Sequence, residues 1–372
     1  PVAKAFKGGF RTTRPDDLLA HVIRTALDDV PGVDPAAIED VIVGCAMPEA
    51  EQGMNVARIG ALLAGLPDNV PGVTVNRFCS SGLQTVAMAA DRIRLGEAHV
   101  MIAGGTETMT MVPMMGHKVA MNPKVFTDDH VAIAYGMGIT AENVARQFGI
   151  SREQQDAFAL ASQQKAAAAQ AAGHFKAEIA PVSIETRKGT TLVDADDHLR
   201  PDTSAEALAR LRPAFDKDGS VTAGNASGLN DGAAALVLMH QNEAARRGLT
   251  PLARIAGWAT AGVDPSIMGT GPIPASHKAL ANAGWTVGDL DRVEANEAFA
   301  AQACAVNKDL GWDTDKVNVN GGAIALGHPI GASGTRVLVT LLYEMQRRDA
   351  KKGLATLCIG GGMGVAMCLE RD

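Results

Sequence analysis

The chain has 372 residues, 47% of them hydrophobic and 20% charged, which is enough apolar material for two sizeable cores and excludes a disordered protein. Lys and Arg number 34 against 41 Asp and Glu, a net charge of −7 with no basic stripe of the kind a nucleic-acid surface carries. Every apolar run falls short of the ~18 residues of a membrane span, and five cysteines without CxxC spacing point to reduced thiols in a cytoplasmic protein.

In chain order, Pro1–Phe10 reads as a turn region and Ile38–Gly44 (IEDVIVG) as a buried strand. Val73–Ile93 (VTVNRFCSSGLQTVAMAADRI) is strand, small residues, then helix, with Cys79 at the helix N-terminus. Backbone N–H groups and the helix dipole favour an anion there, so a lowered thiol pKa and a nucleophilic role are expected. Ile102–Glu107 (IAGGTE) is a further strand. Residues 110–229, rich in Met, Gly and charge, read as an inserted lid, with one long helix opened by a capping box at Ser151 and Gln154. Against the acidic background this segment offers a basic rim of Arg187, Lys188, Arg200, Arg210 and Arg212.

Asn230–Gly248 supplies a strand and helix that finish the first domain, and Leu252–Thr260 a strand that opens the second. Val317–Arg336 (VNVNGGAIALGHPIGASGTR) carries the central feature: a strand from Val317, five glycines, His328 on the turn, and a helix from Thr335. Thr356–Val365 (TLCIGGGMGV) ends an apolar strand on Cys358. Cys45, Cys304 and Cys368 read as core residues.

These stretches form an internal repeat. Val73 falls on Val317, Val41 on Val293 and Ile102 on Ile359, so each copy reads helix, strand, helix, strand, helix, strand. Such alternation implies mainly parallel sheets with functional residues at the carboxyl ends of the strands. The second copy opens with a strand that the first lacks, so an N-terminal strand of about ten residues is expected to precede this numbering.

Four motifs, NRFCSSGLQ around Cys79, VEANEAFAAQ around Asn296, GGAIALGHPIGASG around His328 and CIGGGMG around Cys358, make the chain resemble the thiolases over nearly its whole length. The resemblance implies an α/β fold, a five-layered αβαβα sandwich of two repeated halves: residues 1–109 with 230–251, a loop domain over 110–229, and residues 252–372. It implies that Cys79 takes the acyl group, His328 accepts its proton, and Cys358 is the acid/base at the acetyl-CoA methyl. Asn296 would hold a water on the enolate oxygen, and the N–H groups of Cys79 and Gly360 would form an oxyanion hole. Ser227, Ala223, Phe215 and Arg200 match positions that bind coenzyme A. Met268, Met137, Ala298 and Phe299 match positions lining the acyl pocket. Acyl-CoA and CoA are then the partners, with no metal and no cofactor beyond CoA as substrate, and the chain is expected to form a homodimer, with a tetramer as the alternative.

The chain departs from the acetoacetyl-specific pattern at Gly136, where acetoacetyl-CoA-forming thiolases carry histidine, and Met111–Gly116 (MVPMMG) resembles the degradative branch. Activity on chains longer than acetoacetyl-CoA is therefore expected. Three rival functions fit the residues less well. A phosphate loop at Gly321–Gly327 fails because His328 and Pro329 stand where Lys and Ser/Thr should follow. A decarboxylating condensing enzyme acting on carrier-protein thioesters has no task for a second cysteine. The third rival, a non-catalytic acyl-CoA or lipid-binding relative, has no reason to keep all four reactive positions.

Overall fold

The computed structural model describes residues 1–128, 131–187 and 189–372, so Lys188 of the expected basic rim lies outside the described residues. The first half runs β1 (Val2–Lys4), α1 (Pro15–Asp28), β2 (Val41–Gly44), α2 (Val56–Leu63), β3 (Gly72–Val75), α3 (Ser81–Arg94) and β4 (Val100–Thr108). The next segment supplies α4 (Met137–Phe148), α5 (Arg152–Ala171), a hairpin of β5 (Val182–Thr186) and β6 (Gly189–Val193), and α6 (Ala205–Ala209). The chain returns through β7 (Asn230–Met239) and α7 (Gln241–Arg246). The second half then runs β8 (Arg254–Gly262), α8 (Pro272–Ala283), β9 (Arg292–Ala295), α9 (Ala300–Leu310), α10 (Ala323–Leu326), α11 (Ile330–Arg347), β10 (Lys352–Ile359) and β11 (Met363–Glu370).

One sheet has the order β1-β7-β4-β2-β3 and the other β8-β11-β10-β9. Between them lie α3 and α11, buried on both sides: Leu83, Val86, Val337, Leu338 and Leu341 pack against Met101 and Ala103 of one sheet and Leu357 and Val365 of the other. Outside the first sheet α1 and α2 cover Val41, Val43 and Ile102, and outside the second α8 and α9 cover Val293, Leu354 and Ala366. The strand period of two explains this partition, because neighbouring residues such as Leu354 and Ala355 enter opposite cores. The result is the expected αβαβα sandwich.

Several expectations need correction. The sheets are mixed: β7 is antiparallel to β4, and β11 is antiparallel to both β10 and β8, because each of these strands returns through a turn or the inserted segment and makes no helical crossover. Val2–Lys4 is no turn but a short strand on β7, pairing Val2 with Gly232. Val317 makes only an isolated parallel bridge to Val293 where the first half has all of β3. Val41 pairs with Ile102 and Val293 with Leu354, so Ile102 corresponds to Leu354 and not to Ile359 five residues on. The capping box on α5 is present, Ser151 bonding Gln154 N–H and Gln154 bonding back. Helix α5 packs through Ala159, Ala166 and Ala169 on Ile324, Ala325 and Leu326 of α10, just ahead of His328. Among the described residues, no helix is long and apolar enough to cross a membrane.

Candidate active site

Cys79 sits in a short 3₁₀ turn, Phe78–Ser80, that leads into α3. Phe78 takes φ 42°, a strained conformation for a residue with a side chain. Local bonds hold it there: Asn76 Oδ1 accepts from Phe78 N–H (2.9 Å), and Ser81 Oγ donates to the Phe78 carbonyl (2.7 Å). The Cys79 sulfur packs with Ala46, Met109 and Ile330, two residues past His328. The backbone N–H groups of Gly360 and of Cys79 itself point at it and favour the thiolate, yet burial outweighs them and pushes the thiol up to about 11. The lowered pKa expected from the helix N-terminus is therefore wrong. The resting group is a thiol and needs a base.

His328 follows Gly327, whose φ of 102° admits no ordinary side chain. Its N–H is donated to Asn230 Oδ1 (2.9 Å). Ring Nδ1 lies 2.6 Å from Ser333 Oγ, and that hydroxyl lies 3.0 Å from the Pro329 carbonyl. A hydroxyl has one proton and a carbonyl can only accept, so Ser333 donates to Pro329 and accepts from Nδ1–H. This tautomer leaves a lone pair on Nε2, which is buried and has no hydrogen-bond partner among the described residues. Burial, with Arg336 as a lesser cause, lowers the imidazole to about 4, so it is neutral at physiological pH. The helix that follows begins at Ile330, directly after Pro329 and not at Thr335, which is why Ser333 lies one turn below the ring.

Cys358 is fully buried at the end of β10, in an apolar cluster with Met137, Met268, Ala298 and Phe299 and with Ala141 and Ala145 of α4. All four residues expected to line an acyl pocket are thus brought together around it. Burial pushes its thiol up first, and its neighbour Cys79 adds to this because a charge on one sulfur opposes a charge on the other. Asn296 donates its N–H to the Thr356 carbonyl near Cys358 (2.9 Å), while its buried side-chain Oδ1 and Nδ2 both lack a partner among the described residues. Such a pair is costly to bury unless something polar completes it. Met137 overlies the glycine turn, its sulfur 3.3 Å from where a Cβ on Gly360 would stand.

The remaining expected residues fall along a path leading away from these thiols. Phe215 meets Phe299 edge-on (centroids 6.1 Å apart), lies over Gly138 and is 48% exposed, so it is not a core residue. Ser227 donates its N–H to Ala298 (3.0 Å). Arg200 and Ala223 line a cavity with Gln163, Leu208 and Ile324. Arg187, Arg210 and Arg212 are exposed and line no part of it. Sequence reasoning missed Ser333, whose only signal was its place within the turn motif. It also missed His198 in the same cavity, held neutral by burial at about 4. Among the described residues no group of His, Cys, Asp or Glu is placed to hold a metal ion.

Family models for the thiolase N-terminal domain and the thiolase C-terminal domain match residues 1–242 and 249–371. The chain is 57% identical to an acetyl-CoA acetyltransferase of Paracoccus denitrificans, covering 99% of this chain and 96% of that one. It is 54% identical to one of Pseudomonas aeruginosa with the same coverage. A crystal structure of the Bacillus anthracis acetyl-CoA acetyltransferase superposes with a TM-score of 0.91 at 45% identity, covering 100% of this chain and 96% of that one. With two buried thiols near enough that a charge on one opposes a charge on the other, a neutral buried histidine two residues before the Ile330 that packs on one of them, and a sandwich whose two halves each match their own family model, the chain belongs to the thiolase family and is an acyltransferase.

Proposed function

We propose that the protein catalyses the reversible thiolytic cleavage of 3-ketoacyl-CoA and, in reverse, the Claisen condensation of acetyl-CoA with an acyl-CoA. The observation that carries this reading is the pairing of the Cys79 and Cys358 thiols, together with a buried His328, two residues before the Ile330 that packs on Cys79, whose Nε2 has no hydrogen-bond partner among the described residues. In the condensing direction Nε2 takes the Cys79 proton as the sulfur attacks the thioester carbonyl. The carbonyl oxygen develops charge facing the N–H groups of Cys79 and Gly360, CoA leaves with the proton of Cys358, and the acyl group stays on Cys79 while His328 keeps the proton it took. A second acetyl-CoA then loses a methyl proton to the Cys358 thiolate. Its enolate oxygen is held by the Nε2–H of His328 and by a water on Asn296, the methyl carbon attacks the acyl-cysteine, and the expelled Cys79 thiolate recovers its proton from His328. Exchange of thioester for thioester needs no cofactor beyond CoA itself, whose arm and nucleotide would lie along Phe215, Ser227, Ala223 and Arg200.

Acyl chains longer than acetoacetyl are part of this proposal. Gly136 has φ −60° and ψ 131°, open to any residue, and among the described residues a Cβ there would meet only Ile139, at 3.8 Å. The backbone therefore does not require glycine, and its lack of a side chain leaves room near Met137. A homodimer is proposed on β3, an edge strand that carries exposed Val73 and is followed by exposed Phe78. We place the enzyme in the cytoplasm, where two catalytic thiols stay reduced.

The test is thiolysis of acetoacetyl-CoA and of 3-ketohexanoyl-CoA by the purified protein. CoA-dependent cleavage of both supports the proposal; no cleavage of either would return the chain to a binding role.

A further inference from the structure

We infer that Glu107 and Asn230 are positioning residues of this reaction: they fasten the turn that carries His328 to the first half of the molecule, and so fix where the base stands relative to Cys79. The inference rests on the thiolase reading of the site.

Residues 318–329 contain no strand, so side chains must hold the backbone of this stretch. Its early part is held by its own half and by α5: Ile324 N–H bonds Glu297 (3.2 Å) and Gly322 N–H bonds Ser162 (3.1 Å). At His328 itself the partners change sides. The His328 N–H goes to Asn230 Oδ1 of β7 (2.9 Å), and Asn230 Nδ2 is anchored on the Ala3 carbonyl of β1 (3.1 Å). Three residues on, Gly331 N–H goes to Glu107 Oε2 of β4 (2.8 Å).

That same Glu107 oxygen accepts from Ala46 N–H (2.8 Å), and Ala46 in turn packs on Cys79 and accepts from Asn76 of the nucleophile turn (3.0 Å). One carboxylate oxygen is therefore shared between the loop beneath the nucleophile and the first turn of the helix beneath the base. The other oxygen is gripped by Gln52, whose Oε1 accepts from Thr108 N–H (2.9 Å). There is no slack in these contacts. A Cβ on Gly331 would lie 2.8 Å from Glu107 Oε2, and one on Gly327 would lie 2.5 Å from the Asn230 amide. Both side chains are at most 1% exposed. Neither is needed for the sheet, because β4 and β7 pair through their backbones. Displacing a catalytic base by about 1 Å costs on the order of 10²-fold in rate, which is the scale at which such fastening acts.

The experiment measures, in Glu107→Ala, Asn230→Ala, Glu107→Gln and Asn230→Asp, the rate of Cys79 acetylation by acetyl-CoA per mole of folded protein, together with KM. Folded protein is counted by near-ultraviolet circular dichroism. The alanine variants should acetylate about 100-fold more slowly at a KM within about threefold of wild type. The Gln and Asp variants, which keep an acceptor oxygen but exchange one acceptor for a donor or one donor for an acceptor, should recover only in part, to about tenfold below wild type. A purely structural role would reduce the folded fraction and leave the rate per folded molecule unchanged, and that result overturns the inference. If the alanine variants do not fold, wild-type rates in both conservative variants overturn it, and slowed acetylation at unchanged KM supports it. Failure of the wild-type protein to become acetylated on Cys79 would instead overturn the thiolase reading beneath it.

Discussion

The two halves of this molecule place different chemistry at the same station of a repeated architecture. In the first half β3 is a full strand, and residues 76–80 lead directly into α3, leaving room for a strained turn and a thiol. In the second half the corresponding strand shrinks to the bridge at Val317, and residues 318–329, which include the extra turn α10, intervene before α11. The longer connection reaches the first half, bonding Asn230 and Glu107, as the proposed base of the second half must if it is to serve the proposed nucleophile of the first. A short, strained turn suits a nucleophile; a long, side-chain-anchored turn suits a group that must cross to meet it.

The sharpest way to break this comparison is to remove the nucleophile. Cys79→Ser should abolish turnover in both directions, because a serine hydroxyl opposite a neutral imidazole is a far weaker attacking group than a thiol; measurable thiolysis by this variant would move the nucleophile elsewhere. The pairing of a thiol near 11 with an imidazole near 4 also predicts a neutral resting pair. Because the thiol pKa is raised, its thiolate fraction is small at pH 7 and grows as pH rises. Alkylation of Cys79 by iodoacetamide should thus climb about tenfold per unit between pH 7 and 9. A rate already level across that range would mean a thiolate–imidazolium pair.

Ser333→Ala sharpens the second half's role. It leaves His328 Nδ1–H without its acceptor and frees the ring to turn or change tautomer, so kcat should fall about tenfold, equivalent to roughly 1.4 kcal/mol, with KM nearly constant. Ser333→Thr, which keeps the hydroxyl, should restore most of it. The smallest expected effect is one of specificity. Each further buried methylene contributes up to about 0.8 kcal/mol, so Gly136→His should lower kcat/KM for 3-ketohexanoyl-CoA by several-fold relative to acetoacetyl-CoA. An unchanged ratio would mean that Gly136 does not set pocket length.

Much of this was legible in the sequence, and two of the misreadings share one cause. The strand ends bearing Cys79, Asn296 and Cys358 could be read because apolar runs stop abruptly at small residues, and His328 because it stands in a glycine-rich turn, although the strand expected before it is only a bridge at Val317. Glycine, however, serves two purposes that look alike in a sequence. Gly321 and Gly327 make turns with positive φ. Gly331 and Gly334 lie inside α11, where a Cβ would strike Cys45 and Leu83; they are packing glycines, and reading them as turn residues placed the helix start five residues late. Matching IAGGTE to IGGGMG on glycines misplaced the repeat by the same number of residues, whereas the strand ladder aligns Ile102 with Leu354. Pro329 was the overlooked signal for the true helix start. The cost of burying Cys79 was invisible because it depends on groups distant in the chain, as do the partners of Glu107 and Asn230.

The central claim is that the two thiols divide the reaction in time, Cys79 holding the acyl group and Cys358 moving the methyl proton. It is tested most directly by mass spectrometry of Cys358→Ala after mixing with acetyl-CoA. The account predicts an acetyl group on Cys79, with acetoacetyl-CoA formation slowed by about 10² to 10⁴-fold. Failure of Cys358→Ala to form the acetyl-enzyme would contradict it.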